Sequence, residues 1–119
     1  MLYRITIEPD YLRADLYHRE TLQETGEFLE AVAESSLKHG RAQILLSVHS
    51  SRPLFRIGKL LDRFEAQLKE APFRMALLAD SEELEMANQY AEVLARPRGG
   101  KVQSFREEAA ALRWLRSPK

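Results

Sequence analysis

QILLSVHSSRPLFRIG, residues Gln43 to Gly58, decides how the rest of the chain is read. Ile44, Leu45, Leu46 and Val48 form an almost continuous apolar run. Such a run, without alternation, is the pattern of a strand covered on both faces, as central strands of parallel sheets are. Four polar residues, His49, Ser50, Ser51 and Arg52, follow at its carboxyl end. Pro53 suits a turn or a helix start. Ile57, Leu60, Leu61, Phe64 and Leu68 then recur at helical spacing. Strand, polar loop and helix make the repeating unit of an α/β sheet, whose strands usually present ligands at their carboxyl ends.

Toward the amino end, Tyr3, Ile5 and Ile7 alternate with Arg4, Thr6 and Glu8, and Leu12, Ala14 and Leu16 alternate with Arg13, Asp15 and Tyr17. Period two with one polar face predicts two half-buried strands, and Pro9-Asp10 between them is a turn signal, so the pair reads as an antiparallel hairpin. Thr21-Leu22-Gln23-Glu24 is a capping-box pattern that opens the first helix. Leu22, Leu29, Val32, Ala33 and Leu37 are expected on its inner face, and Gly40 as its left-handed terminator.

Toward the carboxyl end, Pro72 stops the second helix, and Phe73 to Ala79 predicts another buried parallel strand. A third helix is expected from Asp80, capped through Asp80 and Glu83, with Leu84, Ala87, Ala91 and Leu94 inward. Pro97, Gly99 and Gly100 break it. Val102 to Phe105 reads as a short edge strand. Glu107 to Leu115 reads as a closing helix with Leu112 and Leu115 inward and Trp114 partly covered. Ser117-Pro118-Lys119 is expected to fray. The element order is β-β-α-β-α-β-α-β-α, an α/β domain with a mostly parallel five-stranded sheet, an antiparallel first strand and about four helices.

The 119 residues suit one domain, residues 1–119, large enough to bury roughly two thirds of its unfolded surface without staples. Lys plus Arg and Asp plus Glu both number 18, a balance that argues against general nucleic-acid binding. There is no cysteine, so disulfides, thiolate metal sites and cysteine nucleophiles are excluded. His18, His39 and His49 lack metal-type spacing. No apolar run approaches the roughly 18 residues of a membrane span, and no signal core follows the amino terminus. The expectation is a cytoplasmic protein without metal or cofactor.

Three stretches resemble the SpoIIAA-like, or STAS, family found in anti-sigma factor antagonists and in the tails of anion transporters. Phe73-Arg74-Met75-Ala76-Leu77-Leu78-Ala79-Asp80 is similar to the fourth strand and following turn of its small stand-alone bacterial branch. Val102-Gln103-Ser104-Phe105 is similar to the last strand. Glu108-Ala109-Ala110-Ala111-Leu112-Arg113-Trp114-Leu115 is similar to the closing helix, which commonly ends in Ala-Leu-x-Trp-Leu. That branch is sometimes grouped with the CRAL-TRIO lipid-binding fold. The resemblance implies a strand order that follows the chain. It also implies a regulatory protein partner, or a lipid or other hydrophobic ligand. The antagonists carry a phosphorylated serine in an Asp-Ser-Ser-Gly-like motif after the third strand. His49-Ser50-Ser51-Arg52 stands there, with Ser51 at the modified position and the flanking Asp and Gly absent. Any contact is therefore expected to be constitutive, without a kinase switch.

The candidate binding residues are His49, Ser50, Ser51, Arg52, Arg56, Asp80 and Ser81, with Ser51 as the candidate phosphoryl acceptor. Ser50 and Ser51 can hold an anion or simply satisfy backbone amides in a turn. Read as an open surface position, Ser51 would change stability by about 0.5 kcal/mol or less when replaced. His49 can act as a base or merely cap the strand, and as sequence neighbours on an extended chain His49 and Ser50 are a poor catalytic pair. Asp80 and Ser81, after the next buried strand, can line the same crevice or cap a helix. Arg52, Arg56 and Lys59 form one basic cluster, and Arg96, Arg98 and Lys101 another; either can meet a phosphate or an anionic lipid head, or simply form a solvated surface. Leu54, Phe55, Ile57 and Leu61 can open onto a hydrophobic cavity between the sheet and the helix after Arg56, or pack as ordinary core. The expected function is a non-enzymatic regulatory or binding module, with a small hydrophobic-ligand binding protein as the alternative.

Overall fold

Leu2–Ile7 (β1) and Leu12–Tyr17 (β2) pair antiparallel, from Leu2 opposite Tyr17 to Ile7 opposite Leu12. The Pro9-Asp10 turn between them is closed by the Glu8 N–H donating to the Tyr11 carbonyl at 2.9 Å. The computed structural model in which this is seen describes residues 1–69, 71–98 and 101–117.

Gln43–His49 (β3), Arg74–Ala79 (β4) and Lys101–Phe105 (β5) extend the sheet in parallel, giving the order β1-β2-β3-β4-β5. The apolar run of β3 is central, and Ile44 to Val48 are all buried. The helices are α1 (Leu22–His39), α2 (Gly58–Gln67), α3 (Glu82–Ala95) and α4 (Glu108–Leu115), with a 3-10 turn over Arg96–Arg98.

Strand alternation sorts the core into two layers. Leu12, Ala14 and Leu16 of β2, Ile44, Leu46 and Val48 of β3, and Met75 and Leu77 of β4 face α1, α2 and α3. Leu45, Ala76 and Leu78 face the other way and meet Ala111 and Leu115 of α4, together with Tyr11. Phe28 of α1 and Phe64 of α2 are almost wholly enclosed in the larger layer. Each such side chain stabilises the fold by about 1.5–3 kcal/mol relative to an exposed one.

The capping box of α1 is complete: Glu24 N–H donates to Thr21 Oγ1, and Thr21 N–H donates to the Glu24 carboxylate. Gly40 ends the helix at φ 63°, where a side chain would be strained. The buried face of α1 differs from the expected one. Leu22 and Leu37 are largely exposed, and Thr25, Phe28 and Ser36 are buried beside Leu29, Val32 and Ala33. The face is centred near Phe28, Val32 and Ser36, which leaves Leu37 on its rim. Leu22 sits in the first turn and lines an open groove with Phe55 and Tyr90.

Ser117 is tied down, contrary to the expected fraying. Buried Arg74 donates from Nη1 to the carbonyls of Trp114, at 2.9 Å, and Ser117, at 2.7 Å, while its guanidinium lies over the Trp114 ring. A cation thus lies at the negative end of α4, adding a donor to the Trp114 carbonyl, which also accepts from the Ser117 N–H. Gly99, Gly100, Pro118 and Lys119 lie outside the described residues, as does the side chain of Arg98.

Candidate functional site

The polar loop after β3 is built as a set of backbone clamps. Ser50 adopts φ 44°, in the left-handed region that residues with a side chain seldom occupy. In that conformation its N–H donates to Asp80 Oδ2 at 2.9 Å, joining the carboxyl ends of β3 and β4. Asp80 therefore does not cap α3, as its spacing to Glu83 had suggested. The cap is Ser81, whose Oγ accepts from Leu84 N–H at 3.2 Å. Glu82, Glu83 and Glu85 fill the first turn of α3, where the helix dipole favours negative charge.

Ser51 is a half-buried link, which corrects its reading as an open surface position. Its Oγ donates to the His49 carbonyl at 2.8 Å and accepts from the Arg19 N–H at 3.1 Å. Arg52 N–H donates in turn to the Arg19 carbonyl, and Arg19 Nη2 donates to the Arg52 carbonyl. The loop is thus stitched to the segment between β2 and α1 through Arg19. The Arg52 side chain is exposed. Arg56 is exposed as well, on an open groove with Phe55, Lys59 and Tyr90.

The His49 ring turns to the α4 side of the sheet, away from the three helices. It stacks on Tyr17, centroids 4.6 Å apart. Its Nε2 meets Ser47 Oγ at 3.0 Å and Asp15 Oδ1 at 3.3 Å. Asp15 Oδ2 also accepts from Arg13 Nε at 3.2 Å, and Arg13 Nη1 donates to Glu108 Oε1 at 2.7 Å. Burial works against the Arg13 guanidinium, but the hydrogen bond to Glu108 and the Asp15 charge outweigh it and raise its pKa. Serine, histidine and aspartate are together here, yet both oxygens converge on the same ring nitrogen. A proton relay needs the acid on one nitrogen and the nucleophile on the other. Among the described residues no group of three or more His, Asp or Glu side chains is arranged to hold a metal ion.

On the opposite side, directly beneath the loop, a partly open cavity of about 60 Å³ lies between the sheet and α1, α2 and α3. Leu16, Leu46, Val48, Met75, Leu77 and Val102 line it from the sheet. Phe28 and Leu29 come from α1, and Leu54, Ile57 and Leu61 from the loop and α2. Three of its lining residues are polar and more than nine-tenths buried, Arg19, Thr25 and Asn88, and the Thr25 hydroxyl donates to the Thr21 carbonyl. Arg19 Nε and Asn88 Nδ2 have no hydrogen-bond partner. Leaving a buried donor unsatisfied costs about 1–3 kcal/mol. Burial pushes the Arg19 guanidinium below its usual pKa, and the Glu24 charge works against that shift. Among the described residues no carboxylate lies within ion-pair distance of Arg19.

Comparison with protein-family models, with curated proteins and with solved structures returns no match.

The seven predicted residues divide among three settings. Ser50, Ser51, Asp80 and the Arg52 backbone tie the loop together and to Arg19, which lines the cavity, and Ser81 caps α3. His49 belongs to the polar cluster on the other face, and Arg56 to the outer groove. Arg19 and Asn88 were not anticipated. Asn88 had a signal: Leu84, Asn88, Ala91 and Ala95 form one helical stripe, and an amide on an apolar stripe needs a partner. Arg19, in a polar stretch between strand and helix, had none.

Proposed function

We propose that this protein is a non-enzymatic binding module that holds a small, mainly apolar ligand between its sheet and helices α1 to α3. The observation that carries the reading is the cavity beneath the loop after β3, apolar in most of its lining and edged by two unsatisfied donors. Close-packed interiors leave few voids larger than a water molecule, and those that persist with polar groups unpaired call for an occupant. Leu54 and Ile57, from the segment after the carboxyl end of β3, line the cavity, and that end is where open α/β sheets bind ligands. The shared Nε2 of the Ser47–His49–Asp15 cluster supports a structural role for those residues over a catalytic one.

A second reading is a regulatory contact through the same loop, in the manner of the STAS proteins that the chain resembles. It is supported by the strand order, which follows the chain with only the first strand antiparallel. It is supported also by Ser50, whose positive φ is held by Asp80 and whose side chain is exposed. Strained backbone in an exposed loop is a mark of functional segments. Phosphorylation of Ser51 would remove the proton it donates to the His49 carbonyl, so a modified loop would lose that internal tie.

Native mass spectrometry of protein purified from cells separates the two. A retained small-molecule mass, lost on denaturation, is the expected result. Repeated ligand-free spectra, with no uptake of apolar compounds in exchange, would leave the protein-contact reading in its place.

A further inference from the structure

We infer that the ligand is a short-chain aliphatic monocarboxylate, its carboxylate held by Arg19 and Asn88 and its chain lying among the apolar side chains of the sheet. This rests on the reading of the cavity as a ligand site. The chemistry follows from what the cavity offers and what it leaves unmet. Arg19 already uses Nη2 on the Arg52 carbonyl, and Nε is the buried N–H that remains without an acceptor. Asn88 Nδ2, on α3, is the other, and both residues line the cavity. Two donors and one positive charge without an ion-pair partner match a group with two acceptor oxygens and one negative charge. An alcohol or ketone would supply acceptors without balancing the cation. A phosphate would bring a further charge and further oxygens that these donors cannot satisfy, at a buried position where each unmet group is costly.

Size sets the rest of the molecule. The free space of about 60 Å³ is several times the roughly 10–15 Å³ that one water molecule requires. That suits a chain of about four to six carbons, far shorter than a membrane lipid tail. Leu46, Val48, Met75 and Leu77 present only hydrocarbon and thioether surface to such a chain. Arg19 also binds the loop through its backbone, so an occupied guanidinium would brace Ser51 and Arg52.

The test is calorimetric titration at neutral pH with hexanoate and with hexanol, which has the same chain without the charge. Wild type is expected to bind hexanoate at least tenfold tighter than hexanol, because a site built around polar partners rejects the analogue that leaves them unpaired. Asn88→Leu and Arg19→Gln are expected to erase that preference. Ala87→Leu, which projects a larger side chain into the cavity, is expected to erase binding of both. Circular dichroism checks the fold of each variant, and if Arg19→Gln does not fold, Asn88→Leu carries the test. Equal binding of hexanoate and hexanol, abolished by Ala87→Leu, would overturn the carboxylate assignment and leave the cavity as an apolar site. Hexanoate binding that survives Ala87→Leu would place the site elsewhere and overturn the assignment. No binding of either compound would overturn both the assignment and the ligand-site reading.

Discussion

The two faces of the sheet treat buried polar groups in opposite ways. On the α4 face, Asp15 is almost fully enclosed and both its oxygens are engaged, one by Arg13 and one by His49, which also meets Ser47. On the face covered by α1, α2 and α3, Arg19 and Asn88 are as deeply buried, yet each keeps a donor without a partner. Gln43 Oε1, the remaining such atom among the described residues, lies at the amino end of β3, away from the cavity. A satisfied network specifies structure, because its members answer one another. An unsatisfied pair beside a void is a place where stability has been given up, and such places are commonly functional.

The difference predicts opposite responses to removing the polar groups. Asp15→Leu breaks the satisfied network by removing the acceptor that Arg13 and His49 share, so it should lower stability by about 2–3 kcal/mol, measured by urea unfolding. No loss would mean that the α4-face cluster is dispensable.

Ser51→Ala should lower stability by about 1 kcal/mol, since it removes one acceptor from Arg19 and one donor to His49. The same scans at half the effect or less would return Ser51 to the status of a surface residue.

These expectations differ from what the sequence alone supports, and the reason is physical. The sheet was legible because Ile44 to Val48 need burial on both faces and because Thr21 and Gly40 mark a helix by backbone chemistry alone. Local signals of that kind survive folding. The loop's place at the carboxyl end was legible too, since four polar residues ending a buried strand must reach solvent or partners. Its bonding was not, because Ser51 meets Arg19 across 32 positions of chain and Ser50 meets Asp80 across 30. The same long-range geometry put Asp80 onto Ser50 and passed the helix cap to Ser81. Arg19 and Asn88 reach the cavity from different elements, and no periodicity records that they share it.

Asn88→Leu should raise stability by about 0.5–1 kcal/mol, because a buried amide without a partner is replaced by a side chain of similar size that suits the lining. Thermal unfolding of the ligand-free protein measures it. A destabilised variant would show that the amide is satisfied in solution, and the contrast between the faces would narrow.

The smallest effect concerns exposed Asp10, whose carboxyl is held below its ordinary value of 3.8, chiefly by the hydrogen bond from Arg116 at 2.7 Å. A depressed pKa contributes stability above the unfolded value and loses it as pH falls through the folded value. Asp10→Asn should therefore be slightly less stable than wild type at neutral pH. The gap should close as pH drops below about 4. A gap that widens in acid would mean that the Asp10–Arg116 pair does not tie the hairpin turn to the end of α4.

The most direct measurement of the central claim is a proton–nitrogen correlation spectrum that resolves the Arg19 Nε–H and the Asn88 side-chain amide while hexanoate is added, with hexanol as control. The account predicts that both signals move together and saturate with hexanoate, and that hexanol leaves the Arg19 signal in place. Saturating shifts confined to exposed arginines such as Arg52 and Arg56, with Arg19 and Asn88 unmoved, would contradict it.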